Sequence, residues 1–227
     1  MTIDNLGDRP ADRAGRGLAH AYFSLAHRLR WCGAENVPRT GPVILAANHQ
    51  SFYDPVAICL AARRGVVYVG DEHYYHMPVV GYLMRLFGTI PVNVRSPSPA
   101  ALAHVVRALR QGHVCGIFPE GARTPDGLIG RPQPGAAVLA LRTGAPLVPV
   151  TVCGAYAAWP LTRRLPRPAP MAICFGEAMH VEGKSTRGRR WEILLELMLR
   201  IADGFRRLGR PDLARESRRR VLESCAP

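Results

Sequence analysis

His49 precedes Asp54 by five positions in Asn48-His49-Gln50-Ser51-Phe52-Tyr53-Asp54-Pro55, and further along the chain stands Phe118-Pro119-Glu120-Gly121-Ala122-Arg123. A neutral imidazole is the side chain best matched to proton removal near pH 7. It does so when one ring nitrogen is held as a donor, and a nearby carboxylate both holds it and stabilises the imidazolium that forms. The second stretch offers a carboxylate, a glycine that permits close backbone approach, and a guanidinium suited to bidentate phosphate binding. Together they read as a base oriented by an acid, facing a loop for a phosphorylated substrate.

Each stretch also has a plainer reading. Asp54 before Pro55 suits a helix N-cap with proline at the first helical position. Glu120 and Arg123 suit a solvated pair on a Pro-Gly turn. Arg95 is a further candidate phosphate ligand or an exposed arginine. Ser51 has no nucleophile elbow around it, so a base acting directly on a substrate hydroxyl is the better chemical reading.

The elements that must position these residues follow from hydrophobic patterning. Residues 41–47, 65–69, 89–94, 113–118 and 147–152 read as short apolar strands, with another over 171–175. Residues 18–31, 56–62, 77–87, 99–110, 135–142, 187–208 and 212–222 read as helices. This alternation predicts an α/β fold, a mixed and mainly parallel sheet flanked by helices, in which sites gather where strands end. Both stretches fall at such places. The expected organisation is a polar N-terminal tail over 1–16, a domain over 17–210 opening on an amphipathic helix, and a polar helical C-terminal tail over 211–227.

Composition limits the classes. With 48% hydrophobic and 21% charged residues in 227, the chain has ordinary globular composition. The window 143–162 carries no charge, yet Pro146, Pro149, Pro160, Gly144 and Gly154 interrupt it, so no transmembrane helix is expected. The N-terminus is polar and carries Asp4, Asp8 and Asp12, so it is not a secretory signal. A net charge of +13, almost entirely arginine because Lys184 is the one lysine, favours anionic partners. No nucleic-acid-binding signature is present. The six cysteines, Cys32, Cys59, Cys115, Cys153, Cys174 and Cys225, have no zinc spacing and suggest a reducing, cytoplasmic setting. No metal and no cofactor is expected.

The residues carry a resemblance. The chain resembles the glycerolipid acyltransferase family, in particular the bacterial 1-acyl-glycerol-3-phosphate (lysophosphatidic acid) acyltransferases, over residues 37–152. Asn48-His49 through Asp54-Pro55 matches its first block, an H-x4-D motif, and Gly88-Thr89-Ile90-Pro91-Val92-Asn93-Val94-Arg95 resembles the second with one residue more. Phe118-Pro119-Glu120-Gly121-Ala122-Arg123 matches the third, and Leu147-Val148-Pro149-Val150 the fourth. Where the family often has a lysine before a Gly-Ala pair, Arg131 precedes Gly135-Ala136.

The resemblance implies a glycerolphosphate-acyltransferase-like fold and an O-acyltransferase making a phosphatidic-acid-like product. His49 is then the general base on the acceptor hydroxyl, which attacks the thioester of acyl-CoA or acyl-carrier protein, and Asp54 orients it. Glu120, Gly121 and Arg123 bind the acceptor, Arg95 its phosphate, and Pro149 shapes the acyl-chain side. A catalytically silent lipid-binding relative and an acyltransferase for another specialised lipid are the alternatives. A lysophospholipid acceptor places the chain peripherally on the cytoplasmic face of the membrane. The helix over 18–31, the apolar 77–87 segment and the arginine excess suit an anionic membrane surface, and packing on the sheet is the plainer use of both helices.

Overall fold

A computed structural model describes residues 10–62, 64–86, 89–92 and 99–224. Among the described residues seven strands form one sheet: β1 (Arg30–Cys32), β2 (Val43–Ala47), β3 (Val66–Asp71), β4 (Thr89–Val92), β5 (Val114–Ile117), β6 (Leu147–Cys153) and β7 (Ala172–Phe175). Their order is β1-β7-β6-β2-β5-β3-β4, every pair parallel except β6 with β7. The α/β reading with a mixed, mainly parallel sheet therefore holds.

The helices are α1 (Pro10–His27), α2 (Asp54–Ala61), α3 (Glu72–Tyr75), α4 (Pro78–Leu86), α5 (Pro99–Arg110), α6 (Gly135–Thr143), α7 (Ala155–Ala158), α8 (Arg187–Arg207) and α9 (Pro211–Ser224). Alternate residues of a strand face opposite sides of a sheet. In β2, accordingly, Val43, Leu45 and Ala47 join a core with Phe23 of α1 and Ile58 of α2, while Ile44 and Ala46 join another with Leu109, Leu139 and Leu197 of α5, α6 and α8. The central strands are buried on both faces, which is why they read as continuous apolar runs. Among the described residues no helix is long and apolar enough to cross a membrane.

The structure differs from the sequence reading in four places. The helix expected over 18–31 ends at His27, because Arg28 takes a positive φ of 45°. The chain then becomes the edge strand β1, captured by β7 in the register Arg30 to Ala172 and Cys32 to Cys174. The same helix includes residues 10–16, inside the stretch expected as a tail. At the other end, α9 packs on α8 and buries Ala214 and Val221, so the chain from Pro211 to Ser224 is part of the fold's packed body. Finally, the short helices α3 and α7 lie in stretches too brief for a helical period to show.

Candidate active site

The strand β2 delivers Asn48 and His49 to its C-terminal end, where the chain turns into α2. Asn48 locks that exit: its amide donates to the Val152 carbonyl (2.9 Å) and its oxygen accepts from Val152 N–H (2.8 Å). Asp54 does not cap the helix that follows. The N-cap position belongs to Tyr53, and the Asp54 carboxylate turns back over the preceding loop. One oxygen, Oδ2, accepts from Gln50 N–H (2.6 Å), Ser51 N–H (2.7 Å) and His49 Nδ1 (2.8 Å). Asp54 is fully buried, and His49 keeps 18% of its side chain exposed. With Nδ1–H donating to the carboxylate, Nε2 of the neutral ring is left as the acceptor.

The His49 ring stacks on Phe118, centroids 3.8 Å apart and planes 14° off parallel. Its backbone is held from both sides: His49 N–H donates to Glu120 Oε1 (2.9 Å), and Thr124 N–H donates to the His49 carbonyl (2.8 Å). The other Glu120 oxygen accepts from Gly130 N–H (2.8 Å). Both carboxylate oxygens are thus taken by backbone. Burial pushes the Glu120 carboxyl up to about 7, against the opposing pull of those two N–H groups. Gly121 turns at φ 74°, a conformation that costs glycine little.

Arg123 is half-buried. Its guanidinium lies 3.5 Å over the Phe52 ring, and Nη2 donates to the Tyr74 hydroxyl at 3.1 Å. Nη1 is buried without a protein partner. Burial lowers the pKa of Arg123, opposed by Tyr74. The loop that carries these residues is tied down elsewhere: Gln50 Nε2 donates to the Gly127 carbonyl (2.7 Å), and Arg220 of α9 pairs with Asp126 (2.8 Å). That pairing is the first cause of an Asp126 carboxyl held down at about 2.

His49, Phe52, Gly121 and Arg123 line a cavity of about 640 Å³. Much of the rest of its wall is apolar, including Ile44, Val69, Val80, Met84, Val105, Ile117, Ala136 and Leu139. The volume is within the range of small-molecule sites, about 300–1,000 Å³. An acceptor nitrogen and a guanidinium on the wall of one largely apolar cavity suit a substrate with a hydroxyl, an anionic group and a long hydrocarbon chain.

Of the residues singled out from sequence, the fold brings His49, Asp54, Glu120, Gly121 and Arg123 together. Pro149 does not line this cavity. It is buried in β6, paired in register with Ala46, with its carbonyl accepting from Gly176 N–H, and β2 separates it from the chamber beside β5 and β3. Arg95 lies outside the described residues. Arg131 sits 6.0 Å from the Trp191 ring and does not line the cavity. Ser51 is buried and its hydroxyl donates to the Trp159 carbonyl (2.9 Å), which leaves it no role as a nucleophile. Phe118 and Tyr74 were missed. Phe118 stood inside the motif as an ordinary strand residue, and nothing around Tyr74 marks it in sequence.

Comparison with known proteins agrees. The model of the family described as Acyltransferase matches residues 28–153. The chain is 34% identical over 122 residues to a 1-acyl-sn-glycerol-3-phosphate acyltransferase of Borreliella burgdorferi, covering 53% of this chain and 49% of that one. It is 30% identical over 169 residues to the protein of that name from Pseudomonas aeruginosa, covering 68% and 60%, and 31% identical over 125 residues to a chloroplastic one from Brassica napus, covering 54% and 36%. It spans only part of the length of each. The crystal structure of the 1-acyl-sn-glycerophosphate (LPA) acyltransferase PlsC from Thermotoga maritima superimposes with a TM-score of 0.67 at 23% identity, covering 85% of this chain and 79% of that one, and so shares the fold. With the family match running through every residue assembled around His49, from Asp54 to Arg123, the chain belongs to the acyltransferase family.

Proposed function

We propose that the chain transfers a fatty acyl group from a thioester donor, acyl-CoA or acyl-carrier protein, to the free hydroxyl of a lysophospholipid, 1-acyl-glycerol-3-phosphate, giving phosphatidic acid. The observation that carries this reading is the His49–Asp54 pair, with His49 on the wall of a largely apolar cavity that Arg123 also lines. His49 Nε2 takes the proton of the acceptor hydroxyl as its oxygen attacks the thioester carbonyl. Asp54 steadies the imidazolium. The tetrahedral intermediate collapses, the C–S bond breaks, and the leaving thiolate takes the proton back from His49. Arg123 receives the acceptor phosphate, with Gly121 allowing its close approach. Glu120 serves the acceptor indirectly, by holding His49 and the 119–130 loop. The names of the relatives support the choice of acceptor.

Attachment to the cytoplasmic face of an anionic membrane is part of the proposal. Leu18, Tyr22 and Leu25 fall on one face of α1 and are 73%, 43% and 83% exposed. Tyr82 of the neighbouring α4 is exposed too, as is Leu161 at the cavity rim. Together with a charge of +13, these suit a lipid surface.

The test is to incubate the purified protein with acyl-CoA or acyl-carrier protein and a panel of lysolipids, with His49→Ala in parallel. Phosphatidic acid should form, and His49→Ala should lower kcat by about 10²–10⁴-fold. Binding of both substrates without transfer would favour a silent lipid-binding relative. Transfer to a different lysolipid would correct the acceptor, and full activity in His49→Ala would remove the proposed base.

A further inference from the structure

On the side of the sheet edge away from β4, two thiols meet that the acyl-transfer reading does not use. Cys32 ends the edge strand β1, and its registered partner in the parallel ladder is Cys174 of β7. Neighbouring strands run about 4.7–4.9 Å apart, inside the Cα separation of about 4.4–6.8 Å that a disulfide spans. Registered residues project from the same face, which sets the two side chains beside each other.

Their surroundings differ in a way that assigns each a part. Cys32 is exposed, whereas Cys174 is 1% exposed. Burial first, then the neighbouring Cys32 thiol, pushes Cys174 up to about 12, while the Arg207 guanidinium at the end of α8 pulls the other way. An oxidant in solution therefore reaches Cys32, and Cys174 waits behind it as a protonated thiol. Cys59, Cys115 and Cys153 are buried, the first two in other strands and helices. Cys153 faces the same side of the sheet, one diagonal step from Cys174 across the β6–β7 pairing.

We propose that Cys32 and Cys174 form a reversible dithiol–disulfide couple that consumes a hydroperoxide. The Cys32 thiolate attacks the peroxide, the O–O bond breaks, and Cys32 becomes a sulfenic acid while the alkoxide or hydroxide leaves with a proton. The Cys174 sulfur then attacks the Cys32 sulfur, the S–O bond breaks, and its own proton leaves with the hydroxyl as water. Two thiols and one hydroperoxide give one disulfide, one alcohol or water, and one further water. A dithiol reductant reverses the bond by exchange. In the oxidised form β1, and with it the end of α1, is covalently stapled to the sheet, and Cys32 is shielded from irreversible oxidation.

The experiment treats the full chain with hydrogen peroxide, alkylates the remaining thiols and digests with trypsin without reduction. The peptide over residues 31–39 should be recovered linked to that over 165–184 in most molecules, and dithiothreitol should separate them. Cys32→Ser should abolish the link. In Cys174→Ser, where no resolving thiol is present, dimedone should label Cys32 far more strongly than in the wild type. Equal dimedone labelling of Cys32 in the two proteins with no linked pair would overturn the proposal. So would a link from Cys32 to Cys153, to Cys225 or to a second copy of the chain.

Discussion

Glu120 grips His49 by its backbone: Oε1 accepts the His49 N–H at 2.9 Å while Oε2 accepts from Gly130. The carboxylate is thus a clasp between the β2 exit and the loop after β5, and it is kept out of water. Its folded pKa of about 7 lies above the ordinary 4.5. Between those values the folded chain holds a proton that the unfolded chain has lost, so raising the pH through this window favours unfolding. The contribution is fully present below 4.5 and lost above 7. Urea unfolding at pH 5 and pH 8 should show the wild type losing up to about 3 kcal/mol relative to Glu120→Gln, which has no titrating group there. Equal losses in both proteins would contradict the burial argument.

Asp54→Asn offers a test of charge with geometry preserved. Because a single oxygen, Oδ2, accepts all three hydrogen bonds, an amide oxygen in its place can accept the same three. The loss is then chiefly a charge-assisted bond exchanged for a neutral one. We expect kcat to fall about 10- to 100-fold with thermal unfolding little changed. A larger fall accompanied by a collapsed melting temperature would mean that Asp54 mainly holds the loop.

Arg123 is aimed by Phe52 and Tyr74, with Nη1 left without a protein partner. Arg123→Lys keeps the charge and loses the planar fork, so it should not rescue. For a phosphate-terminated acceptor, both Arg123→Ala and Arg123→Lys should raise KM about tenfold or more. For a lysolipid lacking a terminal phosphate the effect should be small. Equal effects on both acceptors would assign Arg123 to site structure.

Gly70 lines the chamber, and a Cβ built there meets Met84 Cε and Thr89 Cγ2, each at 2.8 Å. Both neighbours also line the chamber, so Gly70→Ala should shorten it by displacing the Met84 methyl. A methylene contributes about 0.8 kcal/mol when buried, or about fourfold in kcat/KM. Competition assays with donors and acceptors of graded chain length should show the optimum moving to shorter chains, with short-chain activity retained. An unchanged profile would place the acyl chain elsewhere.

Leu18→Ser combined with Leu25→Ser removes the two most exposed leucines of α1. Binding to vesicles containing acidic phospholipid should weaken about tenfold or more, while activity on detergent-dispersed substrate stays the same. Salt should weaken the wild type as well, by screening its arginines. Undiminished sedimentation of the double variant would locate the membrane contact away from α1.

Much of this molecule can be read from residue order because the signals are local. Apolar runs of four to seven residues between turns could bury only as strands of a covered sheet, and the strands β2 to β7 lie where such runs occur. His49 and Asp54 are close in sequence across one turn, so their meeting needed no knowledge of the rest of the chain. What pairing over long range decides was not legible. The edge strand β1 exists because β7, some 140 residues away, captures it, overriding a helical period that runs on toward Trp31 in the sequence. The Glu120 clasp, the Phe118 stack and the Tyr74 contact with Arg123 depend on which strand ends become neighbours. That follows from strand order, and strand order is set by how helices cover both faces of the sheet rather than by any short stretch of sequence.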